Sequence, residues 1–169
     1  GTYPLSVSPF YPNQAGEYRF QWIDLAAHAT PLTFGQAIRE DLATGQSLRA
    51  FKFNGVAGQR LFYNGLDSDF DGVNVQIVTP SGNSLVARNA DDIVVPFALT
   101  ESGEHYLLIG GGVNAPADFA FRLLDVTSPA PLTLGAAVTG TFGGGQYAEV
   151  WGFAGTAGQQ VIYDGLDGD

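Results

Sequence analysis

The sequence repeats itself at a spacing of 100 residues, and this feature constrains the fold more than any other. PLTFG at 31–35 returns as PLTLG at 131–135, and FKFNGVAGQRLFYNGLDSD at 51–69 aligns without a gap on WGFAGTAGQQVIYDGLDGD at 151–169. The shared positions hold aromatic residues, glycines and turn residues, which determine the path of a backbone. The two stretches are therefore predicted to fold in the same way.

A second match covers the other part of the repeat. GEYRFQWIDL at 16–25 resembles ADFAFRLLDV at 117–126, and GTY at the start of the chain resembles GEHY at 103–106. These matches predict five segments along the chain. They are the C-terminal part of a preceding module (1–25), a linker (26–30), a complete module (31–125), a second linker (126–130) and the N-terminal part of a following module (131–169).

The repeat length indicates independent domains in tandem. Solenoid units of roughly 20 to 50 residues share one continuous core, whereas a unit near 100 residues is long enough to be a domain of its own. The joints AAHAT at 26–30 and TSPAP at 127–131 are short, and the second is rich in proline. We expect them to act as stiff spacers in an extended array.

Within the complete module the apolar residues alternate with polar or small ones, as in strands with one buried face. Clusters of Gly, Asn, Ser and Pro separate these runs, for example at 54–59, 80–83 and 100–104. The stretch 35–46 is expected to hold one short turn of helix at most. The fold class is therefore all-β, with seven to nine short strands forming an antiparallel β-sandwich of jelly-roll or immunoglobulin-like type. The strand residues that carry the pattern are Phe51, Phe53, Val73, Val75, Ile77, Phe119, Phe121 and Leu123.

Composition excludes two classes of partner. The 169 residues carry 7 basic and 17 acidic side chains, a net charge of −10. Phosphate backbones and anionic lipids need clustered Lys and Arg, so we expect neither as a partner. No run of apolar residues is long enough to span a bilayer, so we expect no membrane insertion. Cysteine is absent, which excludes disulfides and thiolate metal sites.

The stretch GLDSDFDG at 65–72 is the candidate metal site. Asp67, Asp69 and Asp71, followed by Gly72, reproduce the first half of an EF-hand loop, in which alternate carboxylates bind calcium. The bidentate Glu of an EF-hand is replaced by Val78, so any remaining ligands must come from elsewhere. Further candidates are Asn64, Asn74, Asp91 and Asp92. The alternative interpretation is an acidic, solvated hairpin whose aspartates stabilise turns.

No catalytic arrangement is visible in the sequence, and we expect a protein without enzyme activity. His28 and His105 fall in a linker and at a strand start, so no histidine pair is predicted for zinc. Glu40 and Asp41 are interpreted as acidic surface, because adjacent residues point apart. Trp22 and Trp151 are predicted to fill sandwich cores or module interfaces rather than to stack on sugar rings.

The module resembles the bacterial pre-peptidase C-terminal domain. The resemblance rests on PLTFGQAIREDL at 31–42, VNVQIVTPSGNSLV at 73–86 and LTESGEHYLLIGGG at 99–112, and it also covers both partial modules. It implies a jelly-roll β-sandwich in an extracellular setting, accessory to another activity, that in some members binds calcium or a polymeric substrate. This chain departs from the family's usual arrangement, because no protease domain is in view.

These features together predict a structural repeat segment of an extracellular or cell-surface bacterial filament, stalk or adhesin. Its partners would be neighbouring modules of the same or identical chains, and also surface polysaccharide or matrix. The alternative is a carbohydrate- or protein-matrix-binding accessory module of a secreted hydrolase. The first requires several similar modules, whereas the second requires a catalytic domain elsewhere in the protein.

Overall fold

The structure is a computed structural model, and it describes most of the chain. The described residues are 1–9, 15–18, 20–43, 48–68, 70, 72–111, 116–142 and 148–166. Among them, no helix has the length and apolar character needed to cross a membrane.

Short strands dominate the described residues, with a single four-residue helix. In chain order the elements are α1 (Leu25–His28), β1 (Thr30–Pro31), β2 (Ile38–Leu42), β3 (Leu48–Gly55), β4 (Arg60–Gly65), β5 (Val73–Val78), β6 (Ser84–Asn89), β7 (Ile93–Ala98), β8 (Gly103–Gly111), β9 (Ala117–Asp125), β10 (Ala130–Pro131) and β11 (Trp151–Gly152). The all-β class is confirmed.

The strands from β1 to β9 form two sheets, one ordered β1-β3-β8-β5-β6 and the other β2-β9-β4-β7. The antiparallel partners are nested: β2 pairs with β9, β3 with β8, β4 with β7, and β5 with β6. A long hairpin rolled up in this way is a jelly roll, so the structure decides between the two sandwich types that the sequence left open.

The alternating residues form the core between the sheets, as predicted. Phe121 lies at its centre, with ring centroids 5.4 Å from Phe51 and 5.5 Å from Tyr63. Removing such rings from water is the main source of stability for a domain of this size. All eight strand residues that carried the sequence pattern are buried: Phe51, Phe53, Val73, Val75, Ile77, Phe119, Phe121 and Leu123.

The predicted turns lie where glycine is needed. Gly58 has φ 86° between β3 and β4, and Gly82 has φ 91° between β5 and β6. Side chains with a Cβ rarely adopt this left-handed region. The Gly, Asn and Ser clusters at 54–59 and 80–83 therefore fix the hairpin connections that bring the core residues into register.

Among the described residues, the one turn of helix lies outside the stretch 35–46 where the sequence allowed it, of which residues 44–47 are not described. Residues 38–42 form β2, all of which pairs with β9. The turn of helix is α1, which begins at Leu25 and continues into the segment 26–30 that was expected to be a linker. Asp24 caps this turn through a bond from the Ala27 N–H at 3.3 Å, and the Lys52 ammonium donates to the Ala26 carbonyl at 2.7 Å. The Asp24 cap and the contact with Lys52 stabilise the helical turn α1, whereas pairing with β9 stabilises β2 as a strand.

The segment after β9 packs against the module. Val126 is buried, and its N–H donates to the Arg60 carbonyl at 2.8 Å. The Arg60 N–H in turn donates to the Thr127 hydroxyl at 3.0 Å. The first two residues of the segment at 126–130 are therefore fixed to the start of β4.

Candidate functional site

The acidic loop begins where β4 ends. The Gly65 N–H donates to the Asp92 carbonyl at 3.0 Å, and the Leu66 N–H donates to the Ala120 carbonyl at 2.8 Å, which fixes the backbone just before Asp67. An Asp67 carboxylate oxygen accepts the Ser68 N–H at 2.8 Å, a local turn contact. The other two predicted ligands, Asp69 and Asp71, lie outside the described residues.

A small cavity lies behind this loop. Its volume is about 10 Å³, and Asp67, Asp91 and Asp118 are among the residues that line it. Asp91 Oδ1 is buried and has no hydrogen-bond partner among the described residues. A buried carboxylate oxygen without a donor is costly, and a cation or a water in the cavity would satisfy it.

The outer face of the second sheet is acidic at the same end. Asp41 of β2 and Asp118 of β9 are direct register partners, and both line a shallow cleft of about 200 Å³ together with Asp67 and the basic Arg39. Like charges directly opposite each other destabilise a strand pair unless something screens them. The neighbouring Glu40 carboxylate forms an ion pair with Arg49 at 3.3 Å.

The sequence drew attention to Asp67 but missed Asp118 and Asp41 as its neighbours. The only sequence signal for these two residues was that each lies beside a core residue of its strand: Asp118 follows Ala117, and Asp41 precedes Leu42. Asp41 and Asp118 lie close together because β2 pairs with β9. These two strands are far apart in the sequence, so no local pattern predicts the contact.

The remaining candidate ligands have other partners. The Asn64 amide is assigned the orientation in which its oxygen, rather than its nitrogen, faces Arg122. In this orientation the oxygen accepts from Arg122 Nε at 3.0 Å and from Nη2 at 3.1 Å. Asn74 lies on the outer face of the first sheet, beside Asn89 and Asp92. An Asp92 carboxylate oxygen accepts the Asn89 N–H at 3.3 Å. Within the described ranges, no three His, Cys, Asp or Glu side chains are close enough to hold a metal ion.

Burial changes the acid–base behaviour of Tyr63, which lies beside this end of the core. Its hydroxyl donates to the Ala90 carbonyl at 2.7 Å. Desolvation raises the pKa of Tyr63 well above its ordinary value, and the charges of Asp91 and Asp92 raise it further. The phenol therefore stays neutral and acts as a structural donor.

The two histidines lie in different environments. His105 is buried, stacked on Phe53 with ring centroids 5.3 Å apart, and its Nδ1 is 3.0 Å from the Gly103 carbonyl oxygen. His28 is exposed in α1, with Nδ1 2.9 Å from the Asp24 carbonyl oxygen. Each histidine contacts the backbone of its own neighbourhood.

The start of the second unit repeats the local geometry of the first. β1 pairs in parallel with β3 through Thr30 and Phe51, and β10 pairs in parallel with β11 through Ala130 and Trp151. The equivalent turns also match: the Gln59 side-chain oxygen accepts the Val56 N–H at 3.0 Å, and that of Gln159 accepts the Thr156 N–H at 3.0 Å. The turn glycines are equivalent as well, with φ 83° and 82° at Gly35 and Gly135, and 86° and 83° at Gly58 and Gly158.

Solvent exposure differs sharply between equivalent positions. Trp22 is 74% exposed, whereas Leu123, at the equivalent strand position of the module, is 0% exposed. Trp22 and Trp151 therefore fill no core in this chain, contrary to one of the two roles predicted for them, because no described strand covers them. The other exposed large apolar residues of the two ends, among those that the structure describes, are Tyr3, Leu5, Val7, Tyr18, Phe20, Leu134, Val138, Phe142, Phe153, Val161, Ile162, Tyr163 and Leu166.

Comparison with known proteins gives structural neighbours at low identity. No family model and no curated protein matches the chain. The periplasmic inhibitor of g-type lysozyme PliG from Aeromonas hydrophila is 15% identical, with a TM-score of 0.44, covering 56% of this chain and 95% of its own. The pre-peptidase C-terminal domain of collagenase from Bacillus anthracis is 17% identical, with a TM-score of 0.49, covering 56% of this chain and 93% of its own.

Proposed function

We propose that this chain is a structural segment of an extracellular bacterial filament, stalk or adhesin built from tandem β-sandwich modules. The observation that carries the proposal is the recurrence, after 100 residues, of the β1–β3 pairing in β10 and β11. The matching turn contacts of Gln59 and Gln159 support it. A chain that starts the same fold twice is expected to complete it twice.

The exposed apolar residues at both ends support the same role. Patches of this kind are rare on monomers and mark surfaces that are covered by other chain segments. Neighbouring modules, of the same or of identical chains, are the partners that the repeat itself suggests. The proposed role is mechanical and non-enzymatic, and the extracellular setting follows from the resemblance to pre-peptidase modules.

Calcium is the proposed cofactor of the acidic loop. In this proposal Asp67 and Asp91 supply two carboxylates to the cavity behind the loop, and Asp69 and Asp71 supply the others. The observation that favours it is the buried Oδ1 of Asp91, which has no hydrogen-bond partner among the residues that the structure describes. The role of the calcium would be to stiffen the module.

The second candidate is a binding module for carbohydrate or protein matrix in a secreted hydrolase. The exposed aromatic residues at the start of the chain favour it, since Tyr18 and Phe20 stack with ring centroids 6.2 Å apart and Trp22 is exposed beside them. These residues align with Phe119, Phe121 and Leu123, which are core positions of the module. The structural role therefore explains more of what is observed.

Small-angle X-ray scattering on a longer chain tests the proposed array. The extended chain carries residues 1–169 followed by a second copy of residues 70–125, which would complete the second module. The expected result is an elongated particle of two compact bodies, as stiff linkers require. A matched chain with the added residues in scrambled order is the control. If the extended chain scatters as one compact body with a flexible tail, like this control, the proposed array is wrong.

A further inference from the structure

A cleft lies between the free edges of the two sheets of the module. β6 is the last strand of one sheet, and β7 is the last strand of the other. The cleft has a volume of about 340 Å³, and its lining is mostly apolar: Leu85, Val86, Ala87, Val94, Val95 and Phe97. Small-molecule sites start at about this size and are lined mainly by apolar side chains. The cleft therefore suits an apolar ligand.

The cleft reaches the core of the sandwich. Val86 is buried, whereas Val94 and Phe97 pack against the core cluster and remain partly exposed. Val95 is 76% exposed. A molecule in the cleft would cover apolar surface that the two sheets leave in contact with water, and the removal of such surface from water is favourable.

Arg88 supplies a positive charge to the cleft. It is the direct register partner of Val75, whose side chain is buried, so both side chains lie on the inner side of their sheet. Among the described residues Arg88 forms no ion pair, although Asp92 lines an adjoining cleft with it. Its Nη1 donates to the Ala87 carbonyl at 3.3 Å, and a guanidinium has five N–H donors. A carboxylate matches this group in charge and in geometry.

The two edge strands oppose the addition of a peptide strand. On β6 the Ser84 hydroxyl donates to the Val86 carbonyl at 3.2 Å. On β7 Pro96 has no N–H, and the register shifts where β7 pairs with β4 and where β6 pairs with β5. Bulges and prolines keep edge strands from pairing with further chains. The occupant of the cleft is therefore expected to need no backbone hydrogen bonds.

We infer that the cleft between β6 and β7 binds a single-chain fatty acid, with its acyl chain against Val86, Val94 and Phe97 and its carboxylate on the Arg88 guanidinium. An acyl chain is apolar along its length and makes no hydrogen bonds, and the one polar group of a fatty acid is an anion. All the residues involved belong to the complete module, so the inference does not depend on the proposed tandem array. It gives the module a binding function beside its structural role.

The test is isothermal titration calorimetry of the 169-residue protein with decanoate, octanoate and 1-octanol, each kept below the concentration at which it forms micelles or separates from water. Arg88→Gln removes the positive charge, and Val95→Asp puts a negative charge into the apolar lining at an exposed position. Arg39→Gln is the matched control, because Arg39 is also an exposed arginine on an edge strand, at the opposite side of the second sheet.

Decanoate is expected to bind the wild type and the Arg39→Gln control equally. Octanoate should bind roughly tenfold more weakly than decanoate, because two fewer methylene groups leave water. Arg88→Gln should weaken both carboxylates by about three- to tenfold and leave 1-octanol unchanged, since the alcohol carries no charge. Val95→Asp should weaken all three ligands. In methyl NMR spectra, decanoate should shift the signals of Val86, Val94 and Val95.

Four results would overturn the inference. The first is the absence of saturable decanoate binding. The second is decanoate binding that Arg88→Gln or Val95→Asp leaves unchanged, which would place the ligand on another apolar surface. The third is a loss of 1-octanol binding in Arg88→Gln, which would mean that Arg88 maintains the cleft instead of holding the carboxylate. The fourth is self-association that Val95→Asp abolishes and decanoate does not reverse, which would assign the cleft to a second copy of the chain.

Discussion

Tyr63 and Tyr163 occupy the same position in two closely similar stretches of sequence, yet Tyr63 is 0% exposed and Tyr163 is 96% exposed. The sequence around each residue is therefore sufficient for the preceding turn, at Gly58 and Gly158, but not for the strand or for burial. Burial of Tyr63 depends on strands that arrive later in the chain, chiefly β7 and β9.

The tyrosine pair gives a matched test of the core. Tyr63→Phe removes the hydroxyl that donates to the Ala90 carbonyl at 2.7 Å and leaves that carbonyl without this donor. We expect the free energy of unfolding to fall by about 1 to 2 kcal/mol. Tyr163→Phe, at the exposed equivalent, should leave it unchanged. Urea unfolding of both variants measures the difference, and equal effects would contradict the assignment of Tyr63 to the core.

Gly65 and Gly165 form a second matched pair. A Cβ at Gly65 would lie 2.5 Å from the carbonyl carbon and oxygen of Asp91, whereas at Gly165 the nearest atom is 3.8 Å away, in the Tyr163 ring. Gly65→Ala is expected to destabilise by about 1 to 3 kcal/mol, because backbone must move to admit the methyl group. Gly165→Ala should cost a few tenths of that at most. Thermal unfolding of the two variants checks this, and a neutral Gly65→Ala would mean that Asp91 is not packed against β4.

Stability should depend on pH through Glu101. The Ser81 hydroxyl donates to its carboxylate at 2.6 Å and the Ser81 N–H donates at 3.1 Å, which holds the pKa of Glu101 below its usual range. Because the folded-state pKa is lower than the unfolded one, this contribution is present at neutral pH. It is lost as the pH falls through the folded-state pKa.

The measurement for Glu101 is the unfolding temperature from about pH 7 to about pH 3. Glu101→Gln should be less stable than the wild type at neutral pH, and the difference should shrink in acid. Glu17→Gln, outside the sandwich, controls for the change in net charge. A difference that stays constant across the whole range would show that ionisation of Glu101 plays no part.

Calcium should stabilise the module if the acidic loop binds it. A ligand that binds only the folded state raises the unfolding temperature in proportion to the logarithm of its concentration. Asp67→Asn and Asp91→Asn should each abolish most of the rise, while Glu17→Gln should retain it. Scanning calorimetry with millimolar calcium, and with chelator, is the measurement. If the unfolding temperature of the wild type does not respond, the aspartates serve only to stabilise the turn.

Local pattern predicted the strands and turns of the module well. Phe119, Phe121 and Leu123 alternate in sequence and are all buried, and Gly58 and Gly82 lie in turns with positive φ. These features depend on the two-residue period of a strand and on the conformational freedom of glycine, both of which are visible in sequence. The stretch IREDL of β2 has no such period, because it is an edge strand defined by its partner β9.

The neighbourhood of the acidic loop could not be read in the same way. Asp67 was visible because it belongs to a spaced motif, and Asp91 was a candidate ligand from the sequence, but Asp118 joins them only through the pairing of β9 with β4. The sandwich type was equally hidden, since nested pairing is a property of the whole chain. Asn64 was a reasonable ligand candidate by position, and only the fold brings Arg122 against its amide.

The most direct test of the account is amide hydrogen exchange of residues 151–166, read by mass spectrometry, in the 169-residue chain and in the extended chain that adds a second copy of residues 70–125. The comparison is made at a concentration where both are monomeric. The account predicts that supplying the missing strands slows exchange in 151–166 to the rate of the equivalent residues 51–66, because the same β-sandwich then forms around them. Equally fast exchange of 151–166 in both chains would contradict it, because the repeated sequence would then not fold into a second module even when the missing strands are present.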